Sequence, residues 1–408
     1  MPDDSGSSGD RSEDLRARSP SARLILDLLA YAAGCGGPAP RHPVWEHADG
    51  AGLDRAALEQ VAIAGLAPLL HEAAGAATQT LPAVQRESLL AADLTARVRH
   101  GQLAQVAKEV AELCHHLQVP LTLLKGISIS EQHYPAPHLR PMTDVDILVP
   151  ATERARVQSA LQGRGYLSLD GDWGHAAHGA PLLHQKHAVW VEIHGSLFPP
   201  SARLSSSALF APSRLALRSV PHTFQGIPAS RLDDDLQLVY IASTWIRDLS
   251  QHAIHPSFLV PLFDAAFLLR RAGERIDWER VTAWLDNEMA ATSLYLMLAY
   301  LARHDLAGAA SAVLPQLAAH QRLAGPIELR MLFGLLDRSL VAGAPTMIGP
   351  RARYLWDALL ADRALPVKLA ALPWRMIFPA DIQDRYSARH LIRVARKLAA
   401  MRKGPHRY

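Results

Sequence analysis

Asp144 and Asp146 stand two residues apart in the run Asp-Val-Asp-Ile-Leu-Val. In a strand, residues two apart share a face, so the carboxylates project together while Val145, Ile147 and Val149 face a core. Two carboxylates on one face repel each other unless a cation lies between them, and hard divalent cations take oxygen ligands. The pair is therefore a candidate metal site. A second alternating run, Val189 to His194, carries Glu192 on the face opposite Val189, Val191 and Ile193. A charge on a strand of β-branched residues needs a reason to be there. Glu192 is either a third metal ligand or half of a cross-strand salt bridge to Arg140 or Lys186. His194 shares its face and is a candidate substrate contact.

The flanking sequence supplies elements to hold these groups. Leu103, Val106, Val110, Leu113 and Leu117 repeat as one buried face of a helix expected from Ser88 to Leu117. Val119-Pro120 stops it and launches a strand over Leu121 to Leu124, followed by a Lys125-Gly126 turn and a polar stretch carrying Arg140. After the aspartate strand, Thr152 is expected to cap a helix with Glu153 in its first turn, ending near Gly163, and Tyr166 to Leu169 reads as a strand. Helical patterns also cover Leu24 to Gly34, Leu53 to Leu70, and the chain from Asp233 to about Leu340. Asp233, Asp234 and Asp235 fall at a helix start, where carboxylates cap free N–H groups and oppose the helix dipole. The pairs His175/His178 and His184/His187 lack accompanying cysteines, and a zinc site is the lesser reading.

Composition sets the outer limits. The 408 residues are 49% hydrophobic and 20% charged, enough for two or three packed domains. A formal charge of +3 gives no whole-molecule argument for nucleic acid. Cys35 and Cys114 make no disulfide framework. No apolar run approaches the ~18 residues of a membrane span, and the Ser-, Gly- and Asp-rich start lacks the apolar core of a signal peptide, so a cytoplasmic protein is expected. The basic helical stretch from Ser387 to Lys403 is a candidate nucleic-acid contact, with a plain surface helix as the blander reading.

Leu-Leu-Lys-Gly at 123–126, Tyr134, Arg140, the aspartate strand, Gly165-Tyr166 and Val-Glu-Ile-His at 191–194 together carry a resemblance. They are similar to a poorly characterised bacterial nucleotidyltransferase-like family of the polymerase-β-type nucleotidyltransferase superfamily. Leu236, Trp245, His252, His255, Asp264 and Trp278, with the run Phe378 to Tyr386, resemble it as well. The resemblance implies Mg²⁺ (alternatively Mn²⁺) held by Asp144, Asp146 and Glu192, the last also acting as a base. Two such ions can clamp an in-line displacement at phosphorus. Active superfamily members usually carry Gly-Ser after the first strand; this chain has Lys125-Gly126, with Ser128 further on. Gly126 permits close backbone approach, and Lys125 supplies a point charge. Lys125, Gly126, Ser128, Arg140 and His194 are thus the candidate substrate-binding residues.

The expected fold class is α+β, a nucleotidyltransferase-like mixed sheet flanked by helices. The expected divisions are a disordered leader (1–22), an N-terminal helical region (23–101), a catalytic domain (102–198), a C-terminal helical domain (199–342) and a basic tail (343–408). The expected activity is transfer of a nucleotidyl group from a nucleoside triphosphate to the hydroxyl of a small molecule, peptide, protein or RNA. The Lys-Gly departure motivates an alternative, a non-catalytic protein that binds a nucleotide or partner on the same fold.

Overall fold

The computed structural model describes residues 19–34, 52–169, 178–199, 218–251 and 256–341, with a few single positions between and beyond them. Residues 1–18 of the expected leader, nearly all of the basic tail, His175, His252, His255 and the run Phe378 to Tyr386 lie outside the described residues, whereas positions 19–22 of that leader open the first helix.

Three helices, Pro20–Ala33 (α1), Arg55–Ile63 (α2) and Ala67–Ala74 (α3), precede a long one, Ala83–His116 (α4). Ser19 caps α1 by accepting from the Ala22 N–H, Pro20 opens it, and Gly34 ends it at a φ of +73°. The chain then alternates through Thr122–Leu123 (β1), Lys125–His133 (α5), Asp144–Leu148 (β2), Arg154–Gly163 (α6), Leu167–Ser168 (β3), Leu182–His184 (β4) and Val189–His194 (β5). A hairpin follows, Ser219–Phe224 (β6) and Ile227–Leu232 (β7). Six helices complete the described chain: Asp234–Gln251 (α7), Val260–Ala272 (α8), Trp278–Trp284 (α9), Glu288–Arg303 (α10), Leu314–His320 (α11) and Pro326–Val341 (α12).

The start of α6 differs from expectation. Glu153 itself is the cap residue, no side chain caps the helix, and its carboxylate pairs with Arg156 at 3.1 Å. A carboxylate that can reach an arginine one turn on is drawn away from its own backbone.

The strands form one seven-stranded sheet in the order β3-β4-β5-β2-β1-β7-β6. The β2–β5 and β1–β7 pairs are parallel and the remaining pairs antiparallel. The fold is therefore α+β with a mixed sheet, as the sequence pattern implies. The β6–β7 hairpin carries the sheet past residue 198 into the stretch read as helical. One side of the sheet buries Val145, Ile147, Val149, Val191 and Ile193 against Leu103, Val106 and Val110 of α4. A second cluster joins the helices before the sheet to those after it and takes in Leu124, Leu148 and Tyr240. Helices α1 and α8 pack within it, so sequence-distant helical regions form one body. Among the described residues, no single helix is long and apolar enough to cross a membrane.

Candidate active site

The parallel register of β2 and β5 builds the acidic cluster. It pairs Asp144 with Trp190, Asp146 with Glu192 and Leu148 with His194. Neighbouring strands lie ~4.8 Å apart, so Glu192 sits beside Asp146, with Asp144 one step toward the strand start. One oxygen each from Asp146 and Glu192 and one nitrogen from His194 lie within 4.8 Å of one another. Two carboxylates and an imidazole at that spacing suit a divalent cation.

Asp146 is almost wholly buried and its Oδ1 carries two donors: Lys125 Nζ at 2.6 Å and His194 Nε2 at 2.7 Å. Burial alone would raise its pKa, but the Lys125 charge and the His194 hydrogen bond hold it well below the carboxylate range. The same contact raises Lys125, against a burial penalty that would lower it. Glu192 approaches His194 at 3.5 Å and His178 at 3.7 Å. Burial pushes Glu192 up, yet its hydrogen bond to His194 and the charges of Lys125 and His178 leave it below its ordinary value.

Asp144 behaves differently. Among the described residues no side chain is hydrogen-bonded or ion-paired to it, and burial with the adjacent Asp146 charge pushes it up to about 7. Lys125 and Arg140 pull the other way without prevailing. A cation close to Asp144 would reverse this shift, so the donor set fits a divalent ion.

Lys125 enters α5 at a φ of +42°, a left-handed conformation that costs a non-glycine residue ~1–2 kcal/mol. Glycine adopts it freely. Here the strain is held by the ion pair to Asp146. Gly126 is required for space: a Cβ there would lie 2.8 Å from Arg140 Nη1 and 2.7 Å from Met142 Sδ. Ser128 is buried within α5, where its hydroxyl accepts from Gln132 Nε2 at 2.8 Å, and it makes no hydrogen bond to the carboxylates.

Arg140 is anchored. Its Nε and Nη2 donate to the two oxygens of Asp264 in α8 at 2.8 and 2.7 Å, and the Tyr134 hydroxyl donates to the same carboxylate at 2.8 Å. Neither of the salt-bridge partners expected for Glu192, Arg140 or Lys186, takes that place; histidines do. The loop from Tyr134 to Thr143 is also tied to α4, through His138 to Asp93 at 2.9 Å and Arg99 to the Thr143 carbonyl at 3.1 Å. Arg99 donates as well to the carbonyls of His187 and Ala188, so one guanidinium clamps the entrances of β2 and β5. The paired histidines divide: His184 stacks on His187 and faces Glu109 at 3.3 Å, whereas His178 joins the acidic cluster.

Sequence reasoning gave Asp264 no role and missed Arg99, Tyr240 and Arg247. The signal for Asp264 is a lone carboxylate in an apolar helix, which demands a buried cation. Tyr240 and Arg247 share a face of α7, and both lie within electrostatic reach of Lys125 and Asp146.

A mixed sheet flanked by helices, with carboxylates on adjacent central strands, defines the architecture of a nucleotidyltransferase-like protein. The chain belongs to a family of uncharacterised nucleotidyltransferases, whose model matches residues 54–304, from the cap of α2 to the end of α10. Membership implies a nucleotide substrate at this coarse level. No curated protein matches the chain.

Proposed function

We propose that this chain transfers a nucleotidyl group from a nucleoside triphosphate to an acceptor hydroxyl, with Mg²⁺ or Mn²⁺ held by Asp144, Asp146 and Glu192. The observation that carries this is the cation shortage at the β2–β5 pair, where no side chain among the described residues ion-pairs with Asp144 and the charges of Lys125 and Arg140 leave it raised to about 7. Bound divalent ions would neutralise charge on the phosphates and favour the ionised acceptor hydroxyl. His194 fixes the orientation of the Asp146 carboxylate through its hydrogen bond. Glu192, held ionised at neutral pH, takes the proton as the acceptor oxygen bonds to the α-phosphorus and the bond to pyrophosphate breaks. Lys125 and the first amides of α5 face the phosphates, and the Asp264-bound Arg140 keeps the loop beside Gly126 in place.

The test is a turnover assay with labelled nucleoside triphosphates, Mg²⁺ or Mn²⁺, and a cell-extract acceptor pool. Pyrophosphate release with a labelled acceptor, both lost in Asp146→Asn, is the expected result. No release by the wild-type protein, or equal release by the variant, would refute the reading.

One observation favours the alternative of a non-catalytic binding protein: the Lys125 ammonium already neutralises Asp146. Lys125→Gly separates the two readings, because glycine accepts the backbone conformation while removing the charge. A transferase then keeps turnover with a higher KM for the donor, whereas a binding module shows metal-dependent nucleotide binding and no turnover with or without Lys125.

A further inference from the structure

Helix α8 runs out in Leu-Arg-Arg-Ala-Gly-Glu-Arg, which brings arginines close together at 270, 271 and 275. Cations in a last helical turn oppose the helix dipole, and this accounts for the presence of Arg270 and Arg271. It does not account for the space they share. With Arg275, in the turn Gly273–Arg275 beyond the helix, they line a cleft of about 390 Å³ between the end of α8 and the stretch that follows α10. Small-molecule sites occupy ~300–1,000 Å³.

The cleft joins two kinds of surface. Its buried lining is apolar and includes Ala266, Leu306 and Ala310. Its exposed lining holds the three arginines and one carboxylate, Glu274. Small residues keep the space open, and a Cβ added at Gly273 or Gly308 would meet nothing within 4 Å.

Most of the donors in this cleft are not engaged by the protein. Each guanidinium has five N–H groups. Arg270 donates to the Tyr31 carbonyl at 3.0 Å, and Arg275 to Asp234 at 3.3 Å. Among the described residues, the Arg271 and Glu274 side chains make no hydrogen bond or ion pair. Like charges around one space repel one another unless an anion lies among them. Guanidinium forks match the oxygens of a phosphate and can grip it from several sides. A bare anion would leave the apolar lining uncovered, whereas an organic body attached to it would cover that lining.

We propose that this cleft is a second binding site, and that it takes a small organic phosphate. The phosphate meets Arg270, Arg271 and Arg275, and the organic body lies against Ala266, Leu306 and Ala310. None of the lining residues belongs to β2 or β5, so the site is separate from the carboxylate cluster. It goes beyond the transferase reading and does not depend on it.

The experiment is calorimetric titration of the full-length protein, without divalent metal, with phenyl phosphate and with inorganic phosphate. Phenyl phosphate is expected to bind saturably at one site and more tightly than inorganic phosphate. Arg271→Ala should weaken it about ten- to hundredfold, the usual loss for a hydrogen bond to a charged group, and Arg271→Lys should recover part. Ala309→Trp keeps every charge and fills the cleft from its exposed lining, and it should weaken binding as strongly. Lys125→Gly, in the other site, should change nothing. Binding that survives Arg271→Ala and Ala309→Trp, or that is lost in Lys125→Gly, overturns the inference. So does the absence of saturable binding below ~10 mM, or inorganic phosphate binding as tightly as phenyl phosphate. Thermal melting of each variant excludes a loss of fold as the cause. A chain without transferase activity is still expected to bind phenyl phosphate, so the two readings fail separately.

Discussion

The chain holds two acidic trios, and they are built in opposite ways. Asp233, Asp234 and Asp235 stand at the start of α7, and each faces an arginine. Asp233 caps the helix through the Leu236 N–H at 2.8 Å and lies 3.8 Å from Arg218. Asp234 pairs with Arg231 at 3.0 Å and Arg275 at 3.3 Å, and Asp235 pairs with Arg280. Asp144, Asp146 and Glu192 share one lysine and two histidines, and Asp144 has no ion pair among the described residues. Every member of the first trio has an arginine in the protein itself, although burial and the Asp235 charge still raise Asp233. The second has a deficit of positive charge, and that deficit distinguishes a site from a cap.

The largest expected effect tests that contrast directly. Asp146→Asn should cut pyrophosphate release by ~10³-fold or more, since metal-ligand charge stabilisation is worth several kcal/mol. Asp235→Asn should leave catalysis within a few-fold of wild type. Equal losses in the two variants would erase the distinction.

Next in size is the anchor of the site loop. Asp264→Ala leaves Arg140 buried and unpaired, which typically costs about 3–5 kcal/mol. Urea denaturation should register the loss as a lower midpoint.

A pH effect follows from His133, whose Nε2 lies 3.8 Å from Asp234. Burial lowers its pKa to about 4, with Arg231 and Arg271 assisting and Asp234 and Asp264 opposing. In the folded protein the ring therefore stays neutral below pH 6.5, while the unfolded chain takes up a proton. Stability is full above pH 6.5 and falls as pH drops toward 4, by up to ~3 kcal/mol. In a His133→Gln variant, thermal melts across this window should show a flatter profile.

The smallest effect belongs to the completed trio. Arg280→Ala removes one partner of Asp235, which keeps the Asp277 N–H at 3.3 Å, so a loss of about 1–3 kcal/mol is expected. Mg²⁺ should not restore it, because Asp233–Asp235 caps α7 and is matched by arginines. Restoration by Mg²⁺ in melting experiments would make that trio a cation site too.

Much of the site was legible because it depends on local pattern. Period-two alternation assigned Asp144, Asp146 and Glu192 to faces opposite the apolar core residues, and the apolar spacing of α4 located the helix beneath them. Alternation gives a face but no neighbour. The parallel register that seats Glu192 beside Asp146 is set by long-range pairing. The β6–β7 hairpin escaped notice because Pro221 and Pro228 argue against strands, although Pro221 lies on an edge strand. Its turn signal is Gln225-Gly226, both at positive φ, which suits a tight hairpin. Arg140 offered a charge with several conceivable partners, and the one it takes is 124 residues away.

That separation has a consequence for how the protein is made. A chain emerging at 5–20 residues per second needs roughly 6–25 s to bring Asp264 out after Arg140. During that interval the guanidinium lacks its buried partner, and the loop beside Gly126 lacks that anchor. The nascent chain can form its strands early, but the loop beside Gly126 gains its Arg140 anchor only once α8 has been synthesised and docked. Premature chain termination before α8 would therefore leave a sheet bearing three carboxylates beside an unanchored loop, a built-in delay between forming the sheet and completing the candidate site.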